Sequence, residues 1–211
     1  MRIAPFIAIA ASAALLNGCA TLSEEQCLIG DWYGIGVSDG QAGYAMNRLD
    51  DHAEACARHG VAPNTTAYAE GRAQGLRSYC TPHVGFREGR EGEGYAHVCP
   101  ADLEPEFLQG YSDGRLVHAA VAAVNAANGD RSRYQQQAHD LETQIRNEEA
   151  ALGAEGLTDE QRRVIRERLR TLRDDRDRAL SFARDAEWQA REAQREVDML
   201  RARFAAYYGG W

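Results

Sequence analysis

The sequence predicts an all-α protein: short, glycine-faced helices stapled by disulfides, followed by a long antiparallel coiled-coil hairpin. Three observations carry this. Glycines recur at spacings of three and four from aromatic residues between positions 27 and 114. Four cysteines sit in that stretch and none beyond it. From about Phe107 onward, apolar residues alternate steps of three and four almost to the terminus. The expected boundaries are 1–18 for a signal peptide, 19–26 for a lipidated tether, 27–116 for a stapled head and 117–211 for the hairpin.

Arg2 is followed by an uncharged apolar run from Ile3 to Leu16, the layout of an export signal. The run is shorter than the about 20 apolar residues a spanning helix needs, and no later segment approaches that length. It ends in Leu16-Asn17-Gly18-Cys19, which resembles the bacterial lipobox, although Asn17 stands where Ala or Ser is commoner. The resemblance implies that Cys19 is acylated and becomes the new N-terminus. Ala20, rather than Asp, follows it, which implies sorting to the outer membrane, on its periplasmic face. A membrane, reached through lipid, is therefore the first expected partner, and multiple acyl chains meet the two-signal requirement for stable anchoring. The competing reading is a secretory signal with an incidental cysteine.

Beyond Cys19, the exported chain holds Cys27, Cys56, Cys80 and Cys99, an even number that suits an oxidising compartment. Three pairings are open, and Cys27–Cys56 with Cys80–Cys99 closes the shortest loops. One unbroken helix over 31–56 would hold its ends ~37 Å apart, whereas a disulfide needs Cα atoms within about 7 Å. Sequential pairing thus demands a bend, expected at Gly40 and Gly43.

Fourteen of the twenty glycines lie in this head. Four follow an aromatic by three positions, in Tyr33/Gly36, Tyr68/Gly71, Phe86/Gly89 and Phe107/Gly110, and Gly40, Gly75 and Gly114 extend three of these by four residues. Such spacings share one helical face. Glycine costs a helix about 1 kcal/mol relative to Ala, so its recurrence points to close backbone contact between helices. The copies begin at irregular intervals, which excludes a solenoid array. A phosphate cradle would want a preceding strand and a G-x-G-x-x-G or P-loop spacing, and neither is present.

The hairpin's first arm reads Val117, Ala120, Val124, Ala127, Arg131, Tyr134, Ala138, Leu141, Ile145, Glu148 and Leu152, with an interruption expected at Asn128-Gly129-Asp130. Gly153-Ala154-Glu155-Gly156 makes a turn, and Thr158 with Gln161 gives a capping box that opens the second arm. That arm runs from Ile165 and Leu169 through Ala179, Ala183, Ala186, Ala190 and Val197 to Phe204 and Tyr207, with Arg176 the clear misfit. Sustained heptads argue for a coiled coil, and arms of about 50 residues would reach ~75 Å. A solvated stalk and a docking surface for a partner helix or a second copy are the two uses weighed.

Charge divides the same way. Losing Arg2 with the signal moves the net charge from −8 to −9; residues 19–127 carry 15 acids against 7 arginines, and residues 128–211 carry 17 against 16. An acidic head repels nucleic acid and anionic headgroups, so no nucleic-acid partner is expected. All 24 basic residues are arginine, which reads as composition bias.

Gly36-Val37-Ser38-Asp39-Gly40 matches G-x-S-x-G, the elbow that presents a nucleophilic serine. Its context lacks β-α alternation, so a hydrolase using Ser38 is the weakest alternative. His52, Cys56 and His59 fall at i, i+4 and i+7, one face of a helix with imidazole and thiolate donors that suit zinc or copper. A metal-binding module is therefore a second alternative, opposed by the competing disulfide. His83, His97 and His118 read as surface or cap residues. Asp50 and Asp51 are adjacent, point apart on a helix, and read as solvated charge.

Finally, Cys27, Gly30-Asp31-Trp32, Gly36, Asp39-Gly40, Gly43, Cys56, Tyr68-Ala69-Glu70-Gly71-Arg72, Gly75-Leu76, Tyr79-Cys80, Gly89, Tyr95 and Cys99 occur in an order that resembles a family of small Gram-negative lipoproteins catalogued only as a domain of unknown function. The resemblance covers about residues 22–116, implies envelope localisation and brings no activity. The expectation is a non-catalytic envelope module that binds or spaces other components, without a cofactor, with a protein partner or self-association through the coiled coil.

Overall fold

The computed structural model describes residues 21–211; the expected signal peptide and Cys19 lie outside the described residues. Among the described residues there are seven helices and no strand: α1 (Glu24–Ile29), α2 (Trp32–Gln41), α3 (Arg48–Ala57), α4 (Thr65–Tyr79), α5 (Pro82–Glu91), α6 (Glu104–Leu152) and α7 (Asp159–Tyr208). They divide into two compact units, one ending at Tyr79 and the other running from Cys80 to Trp211.

In the first unit, Ser23 and Gln26 form a reciprocal capping box that starts α1, and Gly30 ends it in the left-handed region at φ 66°. Asp31 caps α2 by accepting from the Gly34 amide at 2.9 Å. α2 stops at Gln41, and the chain reverses through Gly43, whose φ is 74° and whose missing Cβ leaves room for the Tyr79 ring. That turn lets α3 return and brings Cys56 to Cys27 with a Cα separation of 5.4 Å. Gly40 lies inside α2, where it serves packing and makes no bend.

The packing is a crossing of α2 with α4 at backbone contact. A Cβ on Gly36 would fall 2.2 Å from the Tyr68 carbonyl oxygen, one on Gly71 2.0 Å from that of Tyr33, one on Gly40 2.3 Å from that of Arg72, and one on Gly75 2.2 Å from that of Val37. Contacts advance together along both helices, so they run parallel, and glycine Cα–H groups point at facing carbonyls. Leu22, Cys27, Trp32, Leu49, Cys56 and Tyr68 make the core beside it.

The second unit repeats the device. Cβ atoms on Gly85 and Gly110 would meet the carbonyls of Phe107 and Pro82 at 2.2 and 2.0 Å, and those on Gly89 and Gly114 would meet Tyr111 and Phe86 at 2.2 Å each. In both crossings each glycine opposes the carbonyl three residues before its counterpart. The return loop leaves α5 through left-handed Gly92 and is tied down by a Cys80–Cys99 disulfide with Cα atoms 5.6 Å apart.

α6 then continues into a helical hairpin with α7. The interruption expected at Asn128-Gly129-Asp130 does not occur; α6 is one 49-residue helix. Gly129 has open space around its Cα, so its propensity penalty of about 1 kcal/mol is all it costs, and packing along the rest of the helix outweighs it. Gly156, at φ 78°, shapes the turn, and Thr158 and Gln161 form the capping box of α7. Buried Ala183, Ala190, Val197 and Phe204 follow one another at seven-residue steps. Arg176, the seam misfit, is satisfied from the facing helix by Glu142 at 3.1 Å, and Arg173 meets Glu149 at 2.6 Å.

The C-terminal aromatics stay within this unit. Tyr208 stacks on Phe86 with centroids 4.2 Å apart and donates its hydroxyl to Asp113 at 2.8 Å, and Trp211 packs at 5.8 Å from Phe86. Burial first, then the hydrogen bond to Asp113, pushes the Tyr208 phenol up to about 12.

Two predictions follow from the packing. Gly71→Ala should destabilise the protein by about 1–3 kcal/mol, because overpacking against a backbone carbonyl outweighs the propensity gain. Gly129→Ala should stabilise it by up to about 1 kcal/mol. Urea titrations of both variants check the opposite signs; two losses of equal size would refute the backbone-contact account. A third prediction concerns pH. A raised phenol pKa means that the Tyr208 contribution is complete below pH 10 and disappears as pH rises through about 12. Denaturation between pH 8 and 12 should therefore show an alkaline loss in the wild type that is diminished in Tyr208→Phe.

Candidate functional site

A charged residue on a buried helical face demands partners. Asp39 follows Gly36 by three and precedes Gly40, so α2 carries it inward on its glycine face, where it is buried. The Tyr68 hydroxyl from α4 donates to Asp39 Oδ2 at 2.7 Å. His52 Nε2 from α3 lies 2.8 Å from the same oxygen, and because a carboxylate oxygen accepts, Nε2 is the donor. The other ring nitrogen, Nδ1, lies 2.7 Å from the Thr21 hydroxyl. Burial, then the hydrogen bond to and charge of Asp39, raises the Tyr68 phenol well above its ordinary range, so it remains a donor.

Asp39, His52 and Thr21 thus stand in the carboxylate–imidazole–hydroxyl order of a nucleophilic triad. The hydroxyl held by the imidazole is that of Thr21, not Ser38. Ser38 sits in the interior of helix α2, away from any strand–turn–helix elbow among the described residues. An open cavity of about 370 Å³ adjoins the chain, and Thr21, Ile29, Ser38, Asp39, Arg48 and His52 are among the residues that line it. Thr21 belongs to the segment leading into α1, and Leu22 beside it is buried in the core. The His52–Thr21 contact therefore fastens the N-terminal segment to the helices.

The face His52–Cys56–His59 is split among separate tasks. Cys56 is bonded to Cys27, His52 is engaged at both nitrogens, and His59 Nδ1 lies 3.8 Å from Glu24. No group of three or more His, Cys, Asp or Glu poised to hold a metal ion occurs among the described residues. His118 Nδ1 meets the Arg90 carbonyl at 3.1 Å at the end of α5, His83 packs edge-on to Tyr208, and His97 is an exposed residue 3.5 Å from Glu104.

The second crossing carries a reduced version of the same arrangement. Tyr33-x2-Gly36-x2-Asp39-Gly40 on α2 and Phe107-x2-Gly110-x2-Asp113-Gly114 on α6 share one pattern, and each aspartate accepts a tyrosine hydroxyl, from Tyr68 and Tyr208 respectively. Sequence reasoning places the glycines and misses the aspartates. The available signal is their register: a carboxylate immediately before the second glycine of each motif lies beside a buried face.

With this geometry in view, residues 31–116 match the family described as protein of unknown function (DUF2799). The matched segment contains all eight crossing glycines and both Asp39 and Asp113, and leaves most of the hairpin outside. No curated protein and no solved structure matches the chain.

Asp39→Ala should cost about 1–3 kcal/mol for each donor it orphans, Tyr68 and His52, and Tyr68→Phe should cost about 1–3 kcal/mol alone. Chemical denaturation checks both. Near-wild-type stability in Asp39→Ala would refute a structural role for the buried network.

Proposed function

We propose that this chain is a non-catalytic lipoprotein of the Gram-negative envelope, acylated at Cys19 and held on the periplasmic face of the outer membrane, where it binds or spaces other components. The observation that carries the reading is the Thr21–His52–Asp39 chain of contacts, which fastens the segment directly following the lipobox to the helices. The Leu16-Asn17-Gly18-Cys19 sequence, after the uncharged apolar run from Ile3 to Leu16, supports the address. The buried acid and imidazole are used to hold structure, which supports a non-catalytic role. No helix among the described residues is long and apolar enough to cross a membrane.

The hairpin supplies the binding or spacing surface. Its arms of 49 and 50 residues are about 75 Å long at 1.5 Å per residue. On α7, Trp188 and Met199 are 59% and 66% exposed and lie eleven residues apart, three turns along one face. A partner helix or a second copy laid along that face would cover both.

Metabolic labelling with a palmitate analogue should mark the wild-type protein and leave Cys19→Ala unlabelled and released from membranes. A photo-crosslinking residue at position 188 should capture one envelope protein or a second copy in intact cells. An unlabelled wild type overturns the anchor; a labelled protein with no crosslink at position 188 overturns the docking face.

A further inference from the structure

From the first unit we infer that α1 is a membrane seat: Leu28 and Ile29 rest in the interfacial zone of a zwitterionic bilayer beside the anchor. This rests on acylation of Cys19, as proposed above, and adds an orientation to it.

A lipid on a flexible tether leaves a domain free to tumble over the membrane. This tether is not free. Thr21 is held by His52 at 2.7 Å and Leu22 is buried in the core, so only residue 20 separates the acylated cysteine from a fixed point. Two residues span at most about 7 Å even when fully extended. The bilayer surface must therefore lie against whatever part of the first unit surrounds Thr21.

That part is α1. Its Ser23 capping box begins two residues after Thr21, and Ile29 lines the same cavity as Thr21, which places the two on one side. Leu28 and Ile29 are 63% and 68% exposed, adjacent, and lie together on the surface with Ser23, Glu24 and Glu25. Leu28 and Ile29 are the large exposed aliphatic side chains in the region that covalent geometry holds near the membrane, and the bilayer is their occupant. They set orientation, while the acyl chains supply the affinity. Glu24 and Glu25 flank them, so the seat suits zwitterionic headgroups and is weakened by anionic ones.

The test uses full-length acylated protein in vesicles of phosphatidylethanolamine and phosphatidylcholine, with Ile29→Trp and, independently, Leu28→Trp. Both sites are exposed, so either replacement leaves the core intact. After subtraction of wild-type emission, the added tryptophan should be blue-shifted and lose the larger part of its emission to bromine-labelled acyl chains. Adding phosphatidylglycerol should reduce that quenching. A protein that carries acyl mass and floats with vesicles, yet whose added tryptophan emits as in water and escapes the quencher at both positions, overturns the seat and leaves the anchor standing. A protein without acyl mass overturns the anchor itself. Cys19→Ala combined with Ile29→Trp should show no quenching, because the seat alone does not hold the protein on the vesicle.

Discussion

Everything in the two units is arranged around helix pairs that touch backbone to backbone. Eight glycines let α2 meet α4 and α5 meet α6 so closely that a Cβ would fall 2.0–2.3 Å from a carbonyl oxygen in every case. Such contact yields many short-range attractions and Cα–H···O contacts, but it requires the paired helices to be held in one register. Parallel pairs also require the chain to travel back between them, through α3 in one unit and residues 92–103 in the other. The disulfides close those return paths. Cys27–Cys56 fixes the second half of α1 to the end of α3, and Cys80–Cys99 fixes the residue just before the cap of α5 to its return loop. Short helices of ten to fifteen residues are marginal alone; cross-linking the unfolded chain offsets part of the ordering entropy that a small core cannot.

The same crossings dictate where polar groups go. The crossing faces bring backbones together, and on α2 and α6 the residue just before the second glycine lies beside that contact. In both units that residue is an aspartate, and in both a tyrosine hydroxyl reaches it. The first unit adds His52 and through it Thr21, so one buried carboxylate ties α2, α3, α4 and the N-terminal segment together. The second uses its aspartate to receive the end of α7, so that Tyr208 closes the hairpin onto α5 and α6. One motif thus secures the N-terminal segment in one unit and the C-terminal segment in the other.

What could be read from the sequence follows from which interactions are periodic. The glycine spacings, the heptads of α7 and the Thr158 capping box are local patterns, and each appears where its period places it. Gly129 shows the limit of that reasoning. As a helix breaker it is a matter of about 1 kcal/mol, and a 49-residue helix with a partner along it absorbs that without a break. Arg176 breaks the apolar pattern because its partner, Glu142, is 34 residues away on the other arm. The buried network was illegible for the same reason. His52 was readable as a ligand beside Cys56 because i and i+4 share a face; its actual partners, 13 and 31 residues away, leave no period.

The long-range contact that periodicity hides is also the one with mechanical meaning. Under the proposed acylation of Cys19, a pull from the membrane would reach Thr21 through residue 20, and Thr21 is held by His52, which in turn is held by Asp39. Leu22, Cys27 and Cys56 back that contact from the core side, with the disulfide bracing α1 against α3. A module built only to be displayed on a membrane has no need for such rigidity, since a disordered tether does that at no structural cost. A module whose orientation at the membrane matters does need it. The fixed N-terminal segment is therefore the feature that favours a spacer or positioned binding surface over a passively tethered domain.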